Sequence, residues 1–424
     1  MMINHFNIFK QTSWSILFRV LSSGISFISI SILLKILGIN EFGIWITILA
    51  LFASFSFVDL GIANGLRNAL PKFENDKIKS NNLIIQTFFL SIIIAAIAII
   101  AFEFFSFSNM FVDFLKLENK IGELEIIIKI LFYLFILNLC VKPAHAVMQA
   151  EHKSHLVSLL LLTVQFLSLL GYVVILLFEV ENPLLKVVIV YAISTFMIHF
   201  SFCMYVLRSR INDFNNISIS LNPVIDLLKS GLLFFVAAIS FISILQIINV
   251  LVIRNLGPSA AGEYGLYSKL FFAINQIAVA GLVPVWSAFA SANEKNDVIW
   301  KKKAFVKIES TFLIVLGIVF IVFIGGKLIF EIWLRNNNFV YSYYLGALFS
   351  VLSIMIVINT GYAYILNGLN KLKLQIILNS MFIGLILLAN FFDYFSNFSS
   401  ILTTLICGYA IVNFFYRANI KINL

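Results

Sequence analysis

Charge is what this chain has least of. Asp, Glu, Lys and Arg make up 12% of its 424 residues, about half the roughly 25% of an ordinary soluble domain. Mean hydropathy is +1.02, which excludes a soluble core with a polar coat. Cysteine is almost absent too. Cys140, Cys203 and Cys407 lie inside apolar runs without ligand spacing, which excludes a disulfide scaffold and leaves three small hydrophobes. No P-loop, no G-x-S-x-G, no H-E-x-x-H and no large loop with paired carboxylates is present. An ATP-driven pump would therefore need its ATPase on a separate chain. A cleavable leader is not expected either: the first apolar run is too long for one and has no small-x-small cleavage site, so it should stay as helix one.

What the chain has is long apolar runs. "NNLIIQTFFLSIIIAAIAIIAF" has the roughly 20 residues a spanning helix needs. Barrel strands would alternate over about ten residues instead. The fold class is an all-α polytopic membrane protein. Apolar runs and polar breaks predict about twelve spans, at 13–37, 42–66, 82–108, 125–149, 155–179, 184–208, 224–253, 264–290, 303–325, 339–367, 371–392 and 397–418. Connections are short, with no inserted soluble domain.

Lys and Arg in and beside the connections set the orientation. Of the 29, eighteen fall on the side of both termini and nine, Lys269 among them, on the other. That bias predicts cytoplasmic N and C termini, with "KKKAFVK" as the strongest anchor. Topology thus accounts for the net charge of +9 without a nucleic-acid partner. The remaining two, Arg19 and Lys142, fall inside spans.

The chain also repeats itself. "ILGINEFGIW" from Ile36 is echoed by "NLGPSAAGEYGLY" from Asn255. Lys35 aligns with Arg254 at an offset of 219 and Glu41 with Glu263 at 222. "MQAEHKSHL" from Met148 matches "LNGLNKLKL" from Leu366 at 218. These offsets predict a six-helix lobe over 1–208, a cytoplasmic linker over 209–223 and a second six-helix lobe over 224–424. Because each copy has an even number of spans, the lobes should form a parallel repeat. In each echoed hairpin, Gly38 or Gly257 fits a helix end that needs positive φ. Glu41 or Glu263 would open the next helix, where the dipole favours an acid. Gly43 or Gly265 would allow close helix contact.

These features resemble the polysaccharide-specific transporters of the multidrug/oligosaccharidyl-lipid/polysaccharide exporter superfamily. The resemblance rests on twelve spans in two lobes, the "LGxxEFG" and "LGxxxxxEYG" hairpins, and "FVDLGIANGLRN" at the second helix. Within that superfamily the chain looks most like O-antigen and capsule repeat-unit flippases. The resemblance implies alternating access that moves undecaprenyl-diphosphate-linked oligosaccharide from the inner to the outer leaflet of a bacterial inner membrane. It implies no cofactor, a proton or sodium as candidate coupling ion, and polymerase and chain-length proteins as pathway partners. Two other classes remain in view. A drug or organic-cation antiporter of the same superfamily would want an acidic cavity. A membrane O-antigen polymerase would want a sizeable, Arg-rich outward loop, which is absent here.

A charge at the bilayer centre costs about 2.5–3.5 kcal/mol on insertion scales, so intramembrane polar residues carry information. Thr12, Ser15, Arg19, Ser22, Ser26 and Ser29 step by three or four residues along helix one, which puts them on one face. Asn138, Lys142, His145 and Gln149 do the same on helix four. Arg19, Lys142, Ser22, Ser26, Asn138 and His145 are the candidate substrate-binding residues, the two cations suiting a diphosphate. Asp59, on a face with Ser56, Ala63 and Arg67, is the first candidate for coupling or gating, and Glu309 the second. Offsetting Arg19, Lys142 and Asp59 into the second copy gives Ala238, Thr360 and Gly281, so these charges are not part of the shared scaffold. Plainer readings stand beside these. Arg19 lies roughly 9 Å inside its helix, within snorkelling reach of the surface, Lys142 precedes Pro143 and its freed carbonyl, and serine stripes serve helix packing. His152 and His155 lack a third ligand, so no metal site is expected, and His199 reads as a satisfied intramembrane histidine.

Overall fold

A computed structural model of the chain describes residues 5–424 apart from 55–60, 74–75, 106, 116–120, 152, 179, 209, 211–235, 237–243, 335–338 and 370. All regular secondary structure among the described residues is helical, with no strand. The helices are α1 (His5–Ser54), α2 (Ile62–Ala69), α3 (Lys77–Phe104), α4 (Phe107–Leu115), α5 (Ile121–Ala150), α6 (Ser154–Leu177) and α7 (Pro183–Arg208). They continue with α8 (Ile244–Leu256), α9 (Pro258–Glu294), α10 (Val298–Trp333), α11 (Tyr343–Gly368), α12 (Leu372–Phe391) and α13 (Phe398–Asn423).

Among the described residues, nine helices are long and apolar enough to cross a membrane, where hydropathy predicts twelve spans. Two of the expected spans run together in α1, bent at Gly38. The expected span over 42–66 is interrupted, and its last turns form the short α2 behind Gly61, whose φ is 74°. Side-chain hydropathy does not register either backbone event. The helices α9 and α10 also outrun their predicted ends. Lys301, Lys302, Lys303 and Lys307, read as connection residues, lie within the opening turns of α10. Lys269, counted with the outer connections, is a correction of another kind: it sits eleven residues into α9.

The chain divides into two compact units. One comprises Met1–Gly38 and Ile48–Phe235, the other Ile39–Thr47 and Val236–Leu424. The expected linker over 209–223 falls, but for Arg210, outside the described residues. In the first unit α5 is the hub, packed on α2, α3, α4 and α7, while α6 lies on α7. In the second, α11 is the hub, between α9, α10 and α13. An aromatic stack pins it there: the rings of Tyr267 and Phe349 lie 5.2 Å apart at 12°, the geometry offset stacking prefers. Outward faces are bare hydrocarbon, with Ile100 and Ile321 about 70% exposed, as a lipid-facing surface requires.

Both hubs end in the same corner. Lys153 N–H reaches back to Met148 O at 2.7 Å and Glu151 N–H to Val147 O at 2.9 Å; Lys371 N–H reaches Leu366 O at 2.8 Å and Leu369 N–H reaches Ile365 O at 2.9 Å. Lys153 and Lys371 then open the next helices with φ, ψ of −100°, 36° and −103°, 40°. Each pair is 218 residues apart, so the second echo is a repeat of backbone geometry. Elsewhere the helix starts are capped locally. Asp76 accepts from Lys79 N–H at 3.1 Å, and that amide, with the Lys79 ammonium, holds its carboxyl below the usual range. Asp297 accepts from Trp300 N–H at 2.9 Å, and Asn397 and Ser400 form a capping box, each satisfying an otherwise orphan amide.

Candidate translocation site

The echoed hairpins hold as backbone devices. Gly38 has φ 67° and Gly257 φ 90°. With ψ 173°, Gly38 occupies a region essentially reserved for glycine. Their acids differ. Glu41 lies in the first turn after Gly38, whereas α9 starts at Pro258, five residues before Glu263, so no acid stands in its first turn. The dipole reading of Glu263 is therefore corrected. Proline at the first helical position, where its missing N–H costs nothing, is the actual start signal.

The glycines of the two hairpins lie against the opposite hairpin, Gly43 and Gly262 against backbone and Gly265 against a side chain. A Cβ on Gly43 would overlap Pro258 O and lie 2.7 Å from Gly262 N. One on Gly262 would lie 2.5 Å from Ile39 O, and one on Gly265 would overlap the Ile46 Cδ1 methyl. All these residues belong to the second compact unit.

In the first unit, the stripe on α1 engages α6. Ser22 is buried and donates to Gln165 Oε1 at 2.8 Å. Ser26 is half-buried and Arg19 exposed. Side-chain geometry at Thr12 lies outside the described residues. The stripe on α5 engages α3 and α7. Asn138 lines a cavity of about 370 Å³ together with Phe88, Cys140, His199 and Cys203. One turn on is the half-buried Lys142, and then His145, whose ring lies 5.5 Å from that of His199. His199 places Nδ1 2.8 Å from Thr195 O, which bears out its reading as a satisfied histidine, while His145 Nε2 is buried with no hydrogen-bond partner. The stretch 11–37 of α1, the stretch 130–150 of α5, and all of α6 and α7 contain no Asp or Glu. The fixed charges of these helix faces are cationic.

Asp59 falls outside the described residues, as does His152. Glu309 is tied down: it accepts from Arg417 Nε at 2.6 Å and Nη2 at 3.1 Å, and from Tyr362 OH at 2.9 Å. A bidentate arginine and a tyrosine make it a brace between α10, α11 and α13. The Glu151 carboxylate of the "EHKSH" turn likewise pairs with Arg210 and Lys153. Among the described residues no group of three or more His, Cys, Asp or Glu is placed to hold a metal. Two positions were missed in the sequence. Gln165, alone among leucines in "LLLLTVQFLSLL", was visible as an intramembrane amide. Lys269 was hidden by its nearness to the hairpin.

The helices among the described residues share their fold with solved transporters of the MOP superfamily. A multidrug resistance MATE family transporter of that superfamily, solved in an inward-facing conformation, superposes with a TM-score of 0.77 at 12% identity, covering 96% of this chain and 98% of that one. A MOP superfamily transporter from Pyrococcus furiosus superposes at 0.56 with 14% identity, over 97% and 94% of the two chains. In sequence, residues 8–289 match the profile of the family described as Polysaccharide biosynthesis protein, and the chain belongs to that family. A protein of Yersinia pseudotuberculosis whose name assigns it to O-antigen export is 25% identical over 376 residues, 84% of this chain and 82% of the other. One of Salmonella typhi, named for O-antigen transport, is 24% identical over 389 residues, 87% and 84% of the two chains.

Proposed function

We propose that this protein is a flippase of undecaprenyl-diphosphate-linked oligosaccharide repeat units. It moves them from the cytoplasmic to the outer leaflet of a bacterial inner membrane for O-antigen or capsule assembly, by alternating access of its two halves. The observation that carries this reading is the charge pattern of the first unit. Arg19 and Lys142 stand on intramembrane helix faces whose neighbours α6 and α7 hold no carboxylate, a field that suits a diphosphate and repels an organic cation. Ser22, Ser26, Asn138 and His145 flank the two cations as neutral polar partners for sugar hydroxyls, while the polyprenyl tail stays in lipid. Asp59 keeps its role as first candidate for coupling to a proton or sodium gradient. Glu309, braced by Arg417, acts in gating if that ion pair opens during the cycle.

The test is deletion of the gene in its native host, with surface polysaccharide and lipid-linked repeats measured together. The expected result is loss of polymer with complete repeats held at the inner leaflet, restored by the wild-type gene but not by Arg19→Gln or Lys142→Gln at equal expression. Repeats that reach the outer leaflet unpolymerised would make the protein a polymerase. Intact polysaccharide with new sensitivity to cationic drugs would make it an antiporter.

A further inference from the structure

Lys269 is a cation within the expected span 264–290 that the flippase reading leaves unused. It lies in α9 eleven residues from Pro258, about 16 Å of helix rise, within "GLYSKLFFAINQ". It is half-buried, and no hydrogen bond or ion pair to it occurs among the described residues. That is unusual company for a charge. Arg417 of the same unit, by contrast, is paired with Glu309.

Helix geometry shows which way Lys269 faces. At 100° per residue, Gly262, Gly265, Lys269 and Gln276 fall within a stripe about 60° wide. Its upper part is covered, because Gly262 and Gly265 press on Ile39 and Ile46 of the opposing hairpin. Its lower part is open, because Gln276 and the adjacent Ile277 are exposed. Lys269 sits at the boundary, one turn beneath the hairpin contact. The repeat supplies a control. At the offset of 222 that aligns Gly43 with Gly265, Lys269 corresponds to Thr47, which is fully buried and spends its hydroxyl on Gly43 O at 2.9 Å. The same position in the two copies is self-satisfied in one and an uncompensated cation in the other. An ammonium is costly to place in an apolar interior without an anion, so scaffold needs do not account for it.

We propose that Lys269 is the anion-holding residue of the second unit, gripping a lipid-borne phosphate oxyanion just inside the hairpin contact. The inference rests on the proposed flippase reading, in which that oxyanion is the diphosphate of the lipid-linked substrate. Lys269 then receives the headgroup at the outward end of its passage, while Arg19 and Lys142 hold it in the first unit.

The full-length protein in phosphatidylcholine nanodiscs, titrated with undecaprenyl diphosphate and separately with phosphatidylglycerol, tests this. Lys269→Gln should weaken undecaprenyl diphosphate binding about ten- to a hundred-fold. Lys269→Arg should keep most of the binding, and the exposed-surface variant Lys373→Gln should bind like wild type. The unfolding midpoint of ligand-free Lys269→Gln should equal or exceed that of wild type, since an unpaired, half-buried charge has been removed. A lower midpoint with unchanged binding identifies a structural lysine and overturns the proposal. Loss of phosphatidylglycerol binding alone overturns it as well, assigning the site to bulk lipid. Should Lys269→Gln fail to fold, Lys269→Met carries the same comparison, and collapse of both variants also marks the residue as structural. Wild-type protein that does not bind undecaprenyl diphosphate sinks the flippase reading itself, whereas wild-type and Lys269→Gln proteins that bind it equally sink only this inference.

Discussion

The two echoed hairpins follow one plan up to their second glycine and then part. Before it, each has a positive-φ glycine, an acid, an aromatic and a glycine in helix contact. Four residues after it, one copy has Thr47, bonded back to its own helix, and the other has Lys269, bonded to nothing described. The hubs repeat the lesson in reverse. There the first copy has the cation, Lys142, and the second has Thr360, again buried and bonded to the carbonyl four residues back. Where the copies agree, the shared residues are backbone requirements: positive φ at Gly38 and Gly257, close approach at Gly43 and Gly265. At these two positions of difference, one copy has a threonine that closes on itself and the other a lysine. Scaffold and function separate along that line.

The comparison breaks most severely at Gly43. Its Cβ would strike the backbone of Pro258 and Gly262, which cannot rotate away. Gly43→Ala should cost about 2–3 kcal/mol and abolish transport, read as a fall in thermal unfolding midpoint. Gly265 is its partner by sequence but not by environment, because there the obstacle is only the end of the Ile46 side chain. Gly265→Ala should cost about 1 kcal/mol or less; equal effects at both positions would erase the asymmetry. Breaking the brace with Arg417→Ala should cost about 1 kcal/mol, discounted because half of the Arg417 side chain is exposed. The smallest effect is expected at Thr47→Val, where loss of one hydroxyl bond to a carbonyl within the same helix should change stability by about 0.5 kcal/mol and leave flux intact.

Much of this was legible in the residues. Long apolar runs fix helices because lipid satisfies no backbone group. The glycines could be placed because positive φ is a local demand, and the hub corner because it recurs at one offset. Three- and four-residue spacing put Ser22 on the face of α1 that meets α6 through Gln165. Partners were not legible. That Ser22 meets Gln165, or that Glu309 meets Arg417 more than a hundred residues away, depends on which helices pack, and apolar sequences specify that only weakly. The start of α9 was misjudged because Glu263 looked like a first-turn acid while Pro258, the stronger signal, was passed over. Lys269 was lost for a related reason: it lies inside the expected span 264–290, but its nearness to the hairpin put it among the outer topology charges.

The placement of Ile39–Thr47 in the second compact unit has a consequence in time. The ribosome makes Gly43 219 residues before Gly262, against which it packs. At about 5–20 residues per second, the hairpin waits roughly 10–40 s in the membrane with its glycine notch uncovered. Whatever shields that notch meanwhile, insertase, lipid or a non-native neighbour, must leave when α9 arrives, so this hairpin reaches its native contact through an exchange of partners.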